Sequence, residues 1–416
     1  MLALCMLAAV SLASRSLAAD GQPARGSGAS AERRPAGSVD PRTGRVFNQA
    51  IEQLAEERYT EARSTLETLS PDRLSPYERS RLELLHVNAD LAQERYPSAR
   101  DHLRAALASG GLNDVEISES RFRIGQIYAA EEHWSDCATE LVTWLETAPR
   151  PTSEAFYTLA VCHYRADARE AAVQAAQTCV DRADRPKEAW LQLLVALRLE
   201  RTEYALARPL LLRLVAMAPA HKAYWLQLSQ TSSALDDAAG AAAALQIAYQ
   251  GDLLHEDPEL RRLAETLSQV GIPYRAARTL ARELEQRTVE ADARSLELLA
   301  NLWIAARESE RAIEPLEQAA RLADSGRLHL RLAEVHVQQE EWAAAETAAR
   351  AAIEKGKLAR RCRADLLLGI ATQAQRELRE SRAALERASG SKPCKREAES
   401  WLRFVEQQLK GAPTDG

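Results

Sequence analysis

The residues with the most latent chemistry in this 416-residue chain are its six cysteines and eight histidines. Cys5 sits in an apolar leader; the other five are Cys137, Cys162, Cys179, Cys362 and Cys394. None is spaced Cys-x-x-Cys, the arrangement that redox or zinc sites use. His329 and His336 are two helical turns apart, whereas a zinc site wants ligands about one turn apart with Asp, Glu or Cys converging. No His-Glu-x-x-His, Gly-x-Ser-x-Gly or phosphate-cradling glycine loop is present. The acidic pairs Glu131-Glu132 and Glu340-Glu341 fall where turns are expected, so they read as solvated surface and not as an acid–base pair. These observations predict no catalysis, no metal and no cofactor.

Without catalytic groups to position, the elements themselves carry the information. The chain is 46% hydrophobic and 27% charged, but only 5% aromatic. That balance favours helices packed through small side chains over a sheet core. A net charge of −6 argues against a nucleic-acid partner, which a basic stripe would serve. "MLALCMLAAVSLASRSLAAD" reads as a secretory leader over residues 1–18, too short to be a stable membrane span. Anchoring through the same segment is the alternative. Residues 19–42 are a Gly, Pro, Ser and Ala linker.

From residue 43 a ruler runs along the sequence. An aromatic residue, a small residue three on and a large apolar residue four further recur as Trp134, Cys137, Leu141; Tyr59, Ala62, Leu66; Tyr96, Ala99, Leu103; and Tyr204, Ala207, Leu211. Shorter or weaker copies begin at Arg169, Ala238, Tyr274, Ser309, Trp342 and Leu378. The residue three after each start is Ala in every copy except Cys137 and Ser381. Upstream lies a second helical figure, as in Ile124-Gly125-x-x-Tyr128, Leu159-Ala160-x-x-His163, Leu299-Ala300-x-x-Trp303 and Leu368-Gly369-x-x-Thr372. Self-similarity at a period near 34 predicts stacked helical hairpins. Gly125 costs its helix about 1 kcal/mol relative to Ala. That cost is explained if Gly125 and Cys137 face each other across one hairpin, where small side chains let two backbones approach. Pro209 and Pro315 fall inside second helices, where a kink is expected. His163 and His336 occupy the aromatic position, which predicts packing roles.

Together the two figures, with closing prolines at Pro149, Pro219 and Pro393, resemble the tetratricopeptide repeat. The resemblance spans residues 43–392 and implies an all-α, right-handed superhelical solenoid of about ten hairpins. Residues 393–410 read as an amphipathic helix capping it. The later segments "AYWLQLSQ", "VGIPYRAARTL" and "LELLANLWIAARESERAIEPLEQAARLADSGRLHLRLAEVHVQQEEWAAAETAARAAIEKGKL" are similar to exported bacterial repeat proteins that accompany TonB, ExbB and ExbD. That similarity implies a periplasmic protein-binding adaptor for energised outer-membrane transport. An outer-membrane or cell-wall assembly factor of the same fold is the alternative.

Counting repeat positions as the family does implies a partner groove along the first helices, lined by Phe122, Gln126, Tyr157, Tyr164, Arg165, Arg198, Gln230, Asn301, Glu334 and Gln338. Tyr157, Tyr164, Arg165 and Arg198 form its sharpest cluster, since Tyr and Arg anchor peptides by area, stacking and forked hydrogen bonds. Five cysteines leave at least one thiol unpaired. Cys362 opens the first helix of the tenth repeat and Cys394 follows its second helix, so an antiparallel hairpin brings them to one side and a disulfide is expected. Cys137 with Cys162 is the rival pair.

Overall fold

The computed structural model describes residues 38–148 and 150–411. The leader, the linker up to residue 37 and Pro149 lie outside the described residues. Two compact units divide between Glu132 and His133. The division falls at the turn inside the third expected hairpin, so each unit is taken by itself.

The first unit holds α1 (Pro41–Ala55), α2 (Tyr59–Leu66), α3 (Pro76–Ala92), α4 (Tyr96–Ala108) and α5 (Asp114–Ala130). Helix α1 begins at Pro41, inside the expected linker, because Asp40 caps it and Pro41 is preset for a first helical turn. Ser75 with Glu78 and Asn113 with Glu116 form reciprocal capping boxes that start α3 and α5.

The second unit holds α6 (Trp134–Thr147), α7 (Ser153–Arg165), α8 (Arg169–Asp181), α9 (Glu188–Glu200), α10 (Tyr204–Met217), α11 (Lys222–Ala234), α12 (Ala238–Gln250) and α13 (Asp257–Gln269). It continues with α14 (Pro273–Glu285), α15 (Ala293–Ala305), α16 (Ser309–Leu322), α17 (Arg327–Gln338), α18 (Trp342–Lys355), α19 (Arg361–Ala374), α20 (Leu378–Ser389) and α21 (Lys395–Gly411). Among the described residues there is no strand. Helices pair in sequence, α7 with α8 through α19 with α20, and each pair packs on the next.

The ruler read from the sequence coincides with these boundaries. Even-numbered helices from α2 to α20 begin on the ten start residues, except that α14 begins one residue early at Pro273. The small residue three positions on (Ala62, Ala99, Cys137, Ala172, Ala207, Ala241, Ala277, Ala312, Ala345, Ser381) is 0% exposed in all ten. Where Ser381 of α20 meets α19, its hydroxyl donates to the Gly369 carbonyl oxygen at 2.6 Å. Gly369 shows how close that contact is: a Cβ there would stand 2.6 Å from Leu385 Cγ and 3.3 Å from the Ser381 carbonyl oxygen. Gly125 and Cys137 are each buried but belong to different units. Pro209 and Pro315 sit within α10 and α16, which run through them as continuous helices.

Each hairpin turn is built alike. The residue two before each second helix has positive φ: Glu57, Glu94, Glu132, Asp167, Thr202, Asp236, Gly271, Arg307, Glu340 and Arg376. The next N–H then reaches back to close the first helix, as from Ala168 to the His163 oxygen (2.8 Å) and from Glu341 to that of His336 (2.9 Å). This is the left-handed C-terminal closure that glycine usually supplies, and Gly271 alone among the ten supplies it by residue type.

Sulfur atoms close two loops in the second unit: Cys137 to Cys162 and Cys362 to Cys394, each with S–S 2.03 Å. The two pairs considered as rivals are therefore both present, and Cys179 is left as a buried thiol. The bridges tie α6 to α7 and α19 to the start of α21, the two outermost helices of that unit.

Candidate protein-binding face

Side chains on the first helix of one repeat reach the first helix of the next, without interruption from α7 to α21. Lys187 pairs with Glu154, and Tyr224 Oη donates to Glu188 Oε1 at 2.5 Å. Lys222 reaches Glu256 and Glu259, each at 2.8 Å. Arg261 binds Asp257 and Asp292, Arg327 binds Glu297, and Arg363 joins Glu334 to Glu397. The side-chain hydrogen bonds between successive first helices join residues 29 to 36 apart, about one repeat period. In the first unit Arg81 and Glu116 link α3 to α5 in the same way.

Most of this ladder runs through the N-terminal halves of the first helices. The Arg327 hydrogen bond, opposed by partial burial, holds the Glu297 carboxyl below the usual range; the Lys222 hydrogen bond does the same for Glu256. Charges there are neutralised within the chain, so they are poor anchors for a partner.

The C-terminal halves differ. Arg165, Gln230, Asn301 and Gln338 are exposed on α7, α11, α15 and α17. Arg165 lies over the Trp134 ring, 4.8 Å from its centroid, and Asn301 bonds Glu297. Tyr164 is half-buried; its hydroxyl donates to Glu200 at 2.9 Å and Arg169 stacks on its ring at 4.3 Å. Tyr157 is half-buried beside Trp190. Glu334 is half-buried between Arg331 and Arg363.

Arg198 departs from its expected role. Its side chain is only 14% exposed, with Nη1 donating to Glu203 Oε2 at 2.6 Å and Nη2 to Gln177 Oε1 at 3.0 Å. It clamps the end of α9 to the turn before α10 and to α8, and offers no open fork to a ligand. Phe122 and Gln126 lie on α5 of the first unit, while the other eight expected groove residues lie in the second.

The histidines separate in role. His336 is buried with Nδ1 2.6 Å from Glu341 Oε2, where it braces its hairpin turn. His329 is half-buried, and burial followed by the charge of Lys355 lowers its pKa. On the surface Glu346, Glu377 and Glu380 converge, and Arg350 bridges Glu346 and Glu380.

Paired helices, an invariant small contact position and a left-handed turn residue in every hairpin decide the architecture. The fold is a stack of tetratricopeptide-like hairpins. No protein-family profile matches the chain, and no curated protein matches it. Among solved structures it is similar to a tetratricopeptide repeat protein from Parabacteroides merdae, with 12% identity over 62% of this chain and 99% of that one, at a TM-score of 0.36. It is also similar to the C-terminal part of a TPR repeat-containing protein from Cytophaga hutchinsonii, at 14% identity over 66% and 95%, TM-score 0.39. A third is the Cut9–Hcn1 hetero-tetramer of the APC/C, at 12% identity over 87% and 84%, TM-score 0.31.

The ladder went unread in the sequence. Its signal is polar and charged partners about one repeat apart on successive first helices, at separations that vary from 29 to 36 residues and so follow no single repeat position.

Proposed function

We propose that the protein is a non-catalytic scaffold that binds protein partners along the C-terminal halves of its first helices. The observation that carries this reading is the division of labour on those helices. Their N-terminal halves spend their charges on one another, while Arg165, Gln230, Asn301 and Gln338 stand exposed one and two repeats apart. Polar and cationic groups at repeat spacing suit an extended peptide, whose backbone Asn and Gln can bond whatever its sequence.

The finer reading is a periplasmic adaptor for TonB, ExbB and ExbD. The similarity of residues 223–230, 270–280 and 296–358 to exported repeat proteins of those systems supports it. Two disulfides support an oxidising compartment, since cytosolic thiols are kept reduced. The leader at 1–18 supports export. No helix among the described residues is long and apolar enough to cross a membrane.

The test is binding of the purified chain to purified TonB, ExbB and ExbD. Saturable binding to at least one component, weakened when Arg165 is changed to Ala, is expected. Binding to none of the three removes the transport reading, and intact mass of the exported protein tests the compartment: a mature start at Ala19 or Asp20 is expected, and a retained leader contradicts it.

A further inference from the structure

The second helices of the second unit each turn one side to solvent, and those sides differ in charge. Helices α6, α8, α16, α18 and α20 expose carboxylates, for example Asp136, Glu170, Glu314, Glu354 and Glu386. Helices α10 and α12 contain no acidic residue, and α14 exposes none before Glu285 in its last turn. In a chain with 60 acidic residues, three consecutive second helices without an exposed carboxylate until that point form a distinct surface.

The three helices lie side by side. Arg208 of α10 bonds Asp237, the cap of α12, at 3.1 Å, and Tyr249 of α12 donates to Glu283 of α14 at 2.5 Å. Their solvent sides carry large apolar groups and arginines. Leu206 and Leu212 are each 51% exposed, Met217 49% and Ile247 48%. Arg275, Arg278 and Arg282 follow at helical spacing on one side of α14, all exposed. Arg275 and Arg278 have no carboxylate within salt-bridge distance among the described residues; Arg282 is 3.7 Å from the largely buried Glu283. Helix α10 is apolar almost all round, a pattern expected of a helix covered on every side.

We propose that this face docks on an anionic phospholipid surface. Half-exposed leucine, methionine and isoleucine side chains supply the apolar insertion, and the arginine row supplies contacts to headgroup phosphates. A protein partner brings fixed donors and acceptors that an interface must match. Apart from Arg213 and Gln250, the exposed residues of α10 and α12 are alanine, leucine, proline, methionine and isoleucine. A bilayer asks only for apolar area and cationic charge. The net charge of −6 repels the rest of the molecule from an anionic surface, so the acid-free face is the one turned toward it. This inference is independent of the peptide-binding reading, because it uses second helices and that reading uses first helices.

The test is co-sedimentation of the full chain with vesicles of phosphatidylglycerol and phosphatidylcholine, and with vesicles of phosphatidylcholine alone, at low and high salt. Binding is expected to the mixed vesicles at low salt, with loss at high salt and little binding to phosphatidylcholine alone. The apolar leader could itself enter lipid, so variants decide. R275Q/R278Q should lower partitioning by roughly tenfold or more, and L206S/L212S should lower it several-fold, with helical circular dichroism unchanged in both. Equal binding to both vesicle types, no binding to either, or folded variants that bind like the parent would overturn the proposal. Retention on an acidic peptide without vesicle binding would overturn it as well, and would reassign the face to a protein.

Discussion

Arg327 and Glu297 meet fork to fork across neighbouring first helices, with Nη1–Oε1 and Nη2–Oε2 both at 2.6 Å. The pair is one rung of a ladder that links every first helix from α7 to α21. Exposed ion pairs contribute about 0–1 kcal/mol each, and the Arg327 side chain is 60% exposed. The ladder therefore acts mainly on the register between repeats, and E297Q should lower the melting point by no more than a few degrees.

The ladder has a pH consequence. Glu297, Glu256 and Asp257 are each held below their ordinary range, with the leading cause a hydrogen bond from Arg327, Lys222 and Arg261 respectively. A carboxylate depressed in the folded state stabilises above its unfolded pKa, about 4. That stability is lost as pH falls through the folded values. Melting points should be flat near neutrality and fall below about pH 4, and carboxyl NMR titration of Glu297 should return toward the ordinary value in R327Q.

The disulfides tie α6 to α7 and α19 to the start of α21 in the second unit. Sequence separations of 25 and 32 residues correspond to about 3–4 kcal/mol each in the loop-entropy picture. In native-state hydrogen exchange, C137S should expose α6 first, and C362S should expose α21 first. Peptide mapping without reductant should recover both bridges. Free thiols at 362 and 394 in oxidised material would contradict the C-terminal staple.

Cys179 should be inert. Burial, aided by the charge of Glu154, pushes its thiol up to about 12. Iodoacetamide at mildly alkaline pH should leave it unmodified in the native protein and label it after unfolding.

Gly369→Ala sets two effects against each other. Alanine gains about 1 kcal/mol of helix propensity. The new Cβ would stand 2.6–2.7 Å from Leu385 side-chain atoms. Leu385 is fully buried and cannot swing aside, and overpacking of this kind costs about 1–3 kcal/mol. A net loss of stability is expected in chemical denaturation.

The period, the starts of the second helices and the small contact position were legible in the sequence because a small residue recurs there on one ruler. Ten residues from Ala62 to Ser381 read as small and are fully buried. The hairpin turns were harder to read. Their left-handed residue is Glu, Asp, Thr or Arg in nine of the ten hairpins, so no glycine marks it. Arg198 was misread for a related reason. Its position on α9 suits a groove, but its partners Glu203 and Gln177 lie on a turn and on another helix, which a first-helix count does not include. The division between Glu132 and His133 has no compositional mark, because the ruler runs across it unchanged.

The central claim is that the C-terminal halves of the first helices hold a protein partner, and paired variants test it most directly. Y164A/R165A removes a half-buried aromatic and an exposed cation, whereas R198A removes the clamp. Calorimetric titration with the component among TonB, ExbB and ExbD that binds the parent should show Y164A/R165A binding weaker by about 2 kcal/mol or more, at a nearly unchanged melting point. R198A should instead melt lower, since α9 loses its tie to Gln177 of α8, while Arg201 still donates to Glu203 at 2.8 Å. If Y164A/R165A binds as tightly as the parent, the partner does not lie on this face.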